Sequence, residues 1–516
     1  MTKTVSKIER AVPSICMLCL LSIVTWAATP EQTSPFNPQA EQWEAEPTRL
    51  AELEFYPCEL QGQGGHKPRH AQCAWLTVAK NPDAPQGAKR KLFVARLAAR
   101  NAQSLPDPLV AIAGGPGQAA SQAFANLDQI LWSLAGRRDI YLVDARGTGR
   151  SDPERCELDA DQSQLFEFDP VRIREQAQSC LQQLERPPQF DTTSVAVRDL
   201  EALRQALGLK QWNLFGVSYG TRVVQHYMRR YPQAVRAAVL DGVVPPGEAL
   251  GPDIALQSQG ALDRFLTSCA QSEACARAYP NLKQELEELF ADLAIQPRSV
   301  NYEDFQTGEL KTTQFGEAQL AVLVRLALYS SEQLSTLPPM LKAAYQDQNY
   351  SALARMSRRL TEQMDQAIAF AMHNSVVCTE DVPFYQVSDS QREAIEQTYL
   401  GSGVLEGFRA ICDVWPTGYR DESLNKPLQA EIPSLLLSGE RDPITPPSYA
   451  ERAAKGLSHS RHLVAKGQGH GVFSIGCMPD LIARFIDDAG FENLQTECLK
   501  PLKAAPIFLN MNGPGP

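Results

Sequence analysis

Trp212-Asn213-Leu214-Phe215-Gly216-Val217-Ser218-Tyr219-Gly220-Thr221-Arg222-Val223-Val224-Gln225-His226-Tyr227-Met228-Arg229-Arg230 opens as an apolar run, breaks at a glycine, and resumes with helical periodicity up to Pro232. It reads as a buried strand, a tight turn and a helix. At the turn, Gly216-Val217-Ser218-Tyr219-Gly220 is a GxSxG. That spacing puts a serine on a strained strand-to-helix turn with its Oγ exposed, while the flanking glycines let strand and helix approach closely. The helix N-terminus that follows favours negative charge developing on a carbonyl oxygen under attack. Ser218 is therefore the candidate nucleophile.

On either side the same alternation repeats. CAWLTVAK from Cys73 and KLFVARLAA from Lys91 read as two antiparallel strands joined by a polar turn. PLVAIAGGPG is an apolar strand that stops in Gly114, Gly115 and Gly117; a helical segment and the strand-and-loop DIYLVDARGTGRSD follow it. After a cysteine-bearing stretch to about residue 190 come the helix SVAVRDLEALRQALGL, the serine elbow, and the strand AVRAAVLDG. Strands and helices in alternation predict a mostly parallel sheet covered on both faces. From 248 to 427 the strand signals disappear, and ALDRFLTSCA, NLKQELEELFADLA, GEAQLAVLVRLALY and TLPPMLKAAYQD predict an inserted, mainly helical domain. The βα pattern returns with IPSLLLSGERDPITPP, SRHLVAKGQGHG and MPDLIARFIDDAG, and the tail from about residue 499 reads as a strap that is loose at its end.

A serine elbow inside an alternating βα chain is the arrangement of the α/β-hydrolase fold, with a catalytic domain in two parts, 28–247 and 428–516, around a helical cap at 248–427. Its chain order is nucleophile, acid, histidine. Of seven histidines, His66 and His70 precede the sheet, His226 follows the serine within its helix, His373 lies in the insertion, and His459 and His462 belong to the last turn and strand. His470, on the glycine-rich GQGHGV loop, is the candidate general base. Asp442, directly after the strand SLLLSG, is the candidate acid that fixes its tautomer; Asp241 and Glu440 are the other positions the topology allows. The backbone N–H groups of Gly115 and Tyr219 are the candidate oxyanion donors, since Pro116 has none. GGPGQA does not match the GxGxxG dinucleotide spacing, and the chemistry calls for no cofactor and no metal.

The bulk numbers bound the setting. The chain has 516 residues, 43% of them apolar, enough for a large core and a second region. Lys3, Lys7 and Arg10 precede an apolar run to Ala28, which reads as a secretory signal peptide over residues 1–27, and nothing later is apolar for long enough to cross a bilayer. Cys58 with Cys73, Cys156 with Cys180, Cys269 with Cys275, Cys378 with Cys412, and Cys477 with Cys498 are close neighbours along the chain; proximity alone suggests five disulfides and an oxidising compartment, periplasmic or extracellular. A formal charge of -11, with no basic patch interleaved with aromatics, speaks against a nucleic-acid partner.

AGGPGQAAS at 113–121, LVDARGTGRSD at 142–152, DLEALRQALG at 199–208, GVSYGTR at 216–222, GERDPITP at 439–446 and GQGHG at 467–471 together resemble the proline iminopeptidase family of α/β-hydrolases, and especially its larger exported, tripeptidyl-aminopeptidase-like branch. The resemblance implies a serine exopeptidase that releases residues or short peptides from free N-termini. Ser218, Asp442 and His470 match its triad, and Gly115 with Tyr219 its oxyanion hole. VVCTED resembles a motif of the larger branch's cap, which makes Glu380 and Asp381 candidates to hold the substrate ammonium. Ala113 stands where the smaller members carry histidine, so a preference for proline does not carry over. A carboxylesterase or other small-acyl hydrolase with the same triad is the alternative.

Overall fold

A computed structural model describes residues 46–62, 67–153, 156 and 169–515; the signal-peptide segment and His66 lie outside them. Twelve strands form: β1 (Thr48–Leu50), β2 (Leu53–Leu60), β3 (Arg69–Ala79), β4 (Lys89–Leu97), β5 (Leu109–Ile112), β6 (Ile140–Val143), β7 (Trp212–Val217), β8 (Val235–Asp241), β9 (Arg298–Glu303), β10 (Leu310–Phe315), β11 (Ser434–Gly439) and β12 (Ser460–Ala465). Ten of them make one sheet in the order β1-β2-β3-β4-β6-β5-β7-β8-β11-β12. The pairs from β1 to β6 are antiparallel and those from β6 to β12 parallel.

Strand alternation divides the core between the two faces. Leu214, Ala238 and Leu436 pack on one face, under helices Thr193–Ala206 and Tyr219–Arg230. Phe215, Val239 and Leu437 pack on the other, under helix Met478–Asp488. Central strands buried on both faces are what continuous apolar runs such as SLLLSG encode.

Two features depart from the sequence reading. The sheet begins earlier than CAWLTVAK, because β2 adds an antiparallel strand whose residues Leu53, Phe55 and Leu60 are buried. The insertion also carries a hairpin, β9 with β10, in a region that shows no strand signal. Its pattern is short and polar: only Val300, Tyr302 and Phe315 are buried, and the Asp304 carboxylate closes the turn by accepting from the N–H groups of Gln306 and Thr307. The remainder of the insertion between β8 and β11 is helical and has its own core around Leu320, Leu323 and Leu341.

The five neighbouring cysteine pairs are joined as disulfides, with Cα separations from 4.9 to 6.3 Å. Such staples point to an exported protein. Among the described residues no helix is long and apolar enough to cross a membrane. Beyond Cys498 the chain runs as a strap over the insertion, where Phe508 donates its N–H to Ser335 and accepts from the Tyr279 hydroxyl.

Candidate active site

Ser218 stands between β7 and the helix Tyr219–Arg230 with φ 57° and ψ −124°, a positive φ that a residue with a side chain adopts only under constraint. The constraint is visible on both sides. Its N–H donates to the Asp241 carbonyl at 2.8 Å, and its carbonyl accepts from the Thr221 N–H and hydroxyl at 2.8 and 2.7 Å. The flanking glycines serve close approach: a Cβ on Gly216 would lie 2.6 Å from the Gly220 carbonyl oxygen, and one on Gly220 would lie 2.2 Å from that of Ile112. The Ser218 hydroxyl has no hydrogen-bond partner among the described residues.

His470 follows β12 on a loop that turns through positive φ at Gly467 and Gly471. Nδ1 of His470 lies 2.8 Å from Asp442 Oδ2 and 3.1 Å from the Thr445 hydroxyl. Asp442 is fully buried, and its other oxygen accepts from the N–H groups of Ile444 and Thr445 at 2.9 and 2.8 Å. With the proton on Nδ1 facing the carboxylate, Nε2 is the free basic atom. Burial works against the charged ring, yet the charge and hydrogen bond of Asp442, with Asp241 behind, raise its pKa above the ordinary histidine value. The ring is held edge-on to Tyr329 with centroids 5.2 Å apart, and the His470 N–H donates to the Tyr329 carbonyl. Gln468 ties the same loop to Ser331 of the insertion and to the Lys503 carbonyl of the strap.

The other acid positions point elsewhere. Glu440 accepts from the Gly467 N–H. Asp241 is fully buried and accepts from the N–H groups of Val472 and Phe473 at 2.7 and 2.8 Å, while its Oδ1 has no partner among the described residues. Burial raises the Asp241 pKa to about 7, against the pull of those two N–H groups and of His470. Among the other histidines, His70 lies by Glu59, His226 bonds Asp421, His373 sits between Phe370 and Phe408, His459 packs on Phe491, and His462 meets the Ser438 hydroxyl.

The glycine loop after β5 packs against Ser218. A Cβ on Gly114 would lie 3.0 Å from that of Ser218, and Gly115 turns through φ 105°. Among the described residues the N–H groups of Gly115 and Tyr219 have no hydrogen-bond acceptor, which for Tyr219 is the ordinary state of a first helical residue. Two donors without an acceptor beside a serine can receive an oxyanion.

Glu380 and Asp381, in the segment Val377–Asp381 of the insertion, meet the helix after Ser218 at its first turn. Glu380 accepts from the Thr193 N–H at 2.7 Å and its hydroxyl at 2.6 Å, and that hydroxyl also meets the Tyr219 phenol at 2.7 Å. Asp381 Oδ1 accepts from Arg222 and from the Leu250 N–H, both at 2.8 Å, while Oδ2 is buried without a partner. Arg222 is also 3.7 Å from Glu380, so one guanidinium serves two carboxylates. Burial, more than the opposing charge of Arg222, raises the Glu380 pKa to about 7.

Arg222, Thr193, Thr445 and Tyr329 carry this geometry and are not singled out by the sequence. Arg222 and Thr445 left a local trace, inside GVSYGTR and GERDPITP. Among the described residues no group of three or more His, Cys, Asp or Glu side chains is arranged to hold a metal ion.

The comparisons with known proteins agree with this architecture. Serine protease Hip1 of Mycobacterium tuberculosis is 25% identical over 431 residues, spanning 78% of this chain and 82% of that protein. Tripeptidyl aminopeptidase of Streptomyces lividans is 31% identical over 195 residues, 35% of this chain and 36% of its own. Carboxylesterase B of Mycobacterium tuberculosis is 29% identical over 276 residues, 50% and 52% of the two chains. The sequence profile of the alpha/beta hydrolase fold matches residues 107–476, from the loop before β5 past the His470 loop, and the chain accordingly belongs to the α/β-hydrolase family as a serine hydrolase.

Proposed function

We propose that this protein is a serine exopeptidase that releases residues or short peptides from free N-termini. The observation that carries the reading is the buried Glu380–Asp381 pair. Two carboxylates share one guanidinium, and among the described residues Asp381 Oδ2 has no donor. A substrate ammonium would complete that set with a charge-assisted hydrogen bond and would favour the ionised form of Glu380. The Hip1 and tripeptidyl aminopeptidase relatives support peptide as the substrate class.

In this mechanism His470 Nε2 takes the Ser218 proton as Oγ attacks the scissile carbonyl, and the N–H groups of Gly115 and Tyr219 receive the oxyanion. Asp442 holds the imidazolium. His470 then protonates the departing amine, and water hydrolyses the acyl-enzyme by the reverse steps. The insertion at 248–427 acts as a cap that admits short, free-ended chains. The segment 1–27 directs export to the periplasm or beyond, where the five disulfides form.

The test is a peptide library offered with free and with acetylated N-termini, products read by mass spectrometry, with Ser218→Ala as the blank. Ser218-dependent loss of N-terminal fragments from the free peptides alone is the expected result. Hydrolysis of short acyl esters with neither library cut would replace the peptidase by the esterase reading.

A further inference from the structure

Among the described residues Arg325, in the insertion, forms no ion pair with a carboxylate. Arg325 stands in the last turn of helix Glu317–Ala327, four residues after Ala321, so the two share a face. Ala321 packs in the cluster of Ile254, Leu405 and Ile444, and Ile444 is two residues from Asp442. The Arg325 side chain therefore turns inward, over the histidine side of the site. The side chain is half-buried, its Nε is buried with no acceptor among the described residues, and its charge acts on the hydroxyl of Tyr329, the residue set edge-on to His470. The Tyr399 hydroxyl is buried in the field of the same guanidinium with no hydrogen bond completed, and the His373 ring lies within reach of the same charge.

A half-buried guanidinium with no carboxylate beside it leaves its charge and the buried Nε–H unmatched, and an arriving anion would match both. Placement says what would relieve it. The leaving amine must sit at His470 Nε2 to receive its proton, so the part of the substrate beyond the scissile bond extends past the imidazole, toward Tyr329 and Arg325. Glu380 and Asp381 instead meet the serine's own helix, through Thr193 and Arg222. We propose that Arg325, with the hydroxyls of Tyr329 and Tyr399, binds the C-terminal carboxylate of a short peptide substrate. The inference rests on the exopeptidase reading and deepens it: the enzyme grips both termini and so prefers short free peptides to the ends of long chains.

The experiment compares kcat/KM for free-N-terminal peptides of three to six residues ending in a carboxylate or in an amide, with the parent enzyme, Arg325→Met and Arg325→Lys. A second pair, the acetate esters of 4-hydroxybenzoate and of 4-hydroxybenzamide, places the same charge on the leaving group without a peptide. A charge-assisted contact gives the parent an acid-over-amide preference of roughly 10- to 100-fold at one peptide length. Arg325→Met brings that ratio to about 1 and Arg325→Lys keeps part of it. Thermal unfolding separates this from a helix-end role: loss of an unpaired, half-buried charge leaves the Tm of Arg325→Met equal or higher, whereas a structural arginine lowers it and depresses both substrates alike. A parent enzyme indifferent to the charge in both pairs overturns the site. Discrimination in the ester pair with no peptide cleaved keeps the anion site and removes the exopeptidase.

Discussion

The ends of β8 and β11 make a controlled comparison. Each strand delivers an aspartate to the same edge of the sheet, Asp241 as the last residue of β8 and Asp442 three residues beyond β11, and both are fully buried. Asp442 spends one oxygen on the N–H groups of its own turn and gives the other to His470 and Thr445. Asp241 spends one oxygen on the N–H groups of Val472 and Phe473 and leaves the other without a partner, while its carbonyl holds the Ser218 N–H. Residue type, burial and strand position therefore do not by themselves set a carboxylate against the imidazole. The turn after Asp442 does: Ile444 and Thr445 hold one carboxylate oxygen and leave the other facing His470, whereas Asp241 gives its bonded oxygen to Val472 and Phe473.

The largest expected effect tests that assignment directly. Asp442→Asn should lower kcat/KM by about 10³–10⁴-fold, because an amide NH₂ facing Nδ1 favours the wrong tautomer and cannot stabilise the imidazolium. Asp241→Asn should cost less than about tenfold, since the asparagine oxygen can still accept from Val472 and Phe473. Steady-state rates on any substrate the parent turns over are sufficient, and the reverse ranking would exchange the two roles.

The glycine beside Asp241 sharpens the comparison. Gly242 turns at φ 65°, and a Cβ there would lie 2.9 Å from His470 Cε1 and 3.0 Å from the Thr445 hydroxyl. Gly242→Ala should therefore displace the ring and lower kcat/KM by about 10- to 100-fold. Gly247→Ala imposes a similar backbone cost at φ 86°, where a Cβ would meet only the Asn425 carbonyl. If the two variants lose equal activity at equal loss of Tm, the contact with His470 is incidental and backbone strain explains both.

How much of this can be read from sequence follows from distance along the chain. The parallel strands announce themselves as apolar runs, and the serine elbow, GERDPITP and GQGHG are local motifs whose glycines and prolines fix their own turns. The acid pair is otherwise. Glu380 is held by Thr193 across 187 residues and Asp381 by Arg222 across 159, and only the folded insertion brings them together. Arg325 lies inside an apolar helical run, where its inward direction depends on which of several buried faces meets the site. The β9–β10 hairpin is hidden for a simpler reason: with three buried residues it lacks the apolar mass by which strands are recognised.

The smallest expected effect is in pH dependence, where the two aspartates act on one histidine. His470 must be neutral to accept the Ser218 proton, and Asp442 with Asp241 raises its pKa, so the acid limb of kcat/KM should fall above pH 6.5. Asp241→Asn removes the more distant charge and should move that limb down by less than about one pH unit, as part of a coupled titration. Stability carries the opposite signature of the same residue. The Asp241 carboxyl is raised from 3.8 to about 7, so the folded chain holds this proton more tightly than the unfolded chain does. Its contribution is most favourable below the unfolded value and is lost as pH rises to about 7; His470, also raised, loses its contribution over the pH range just above its ordinary value. Asp241→Asn removes the carboxylate part of that loss. Its Tm should match or trail the parent at pH 4 and exceed it by about 2–5 °C at pH 8. A Tm difference that does not change with pH would mean that Asp241 stays ionised throughout, and that the N–H groups of Val472 and Phe473 outweigh its burial.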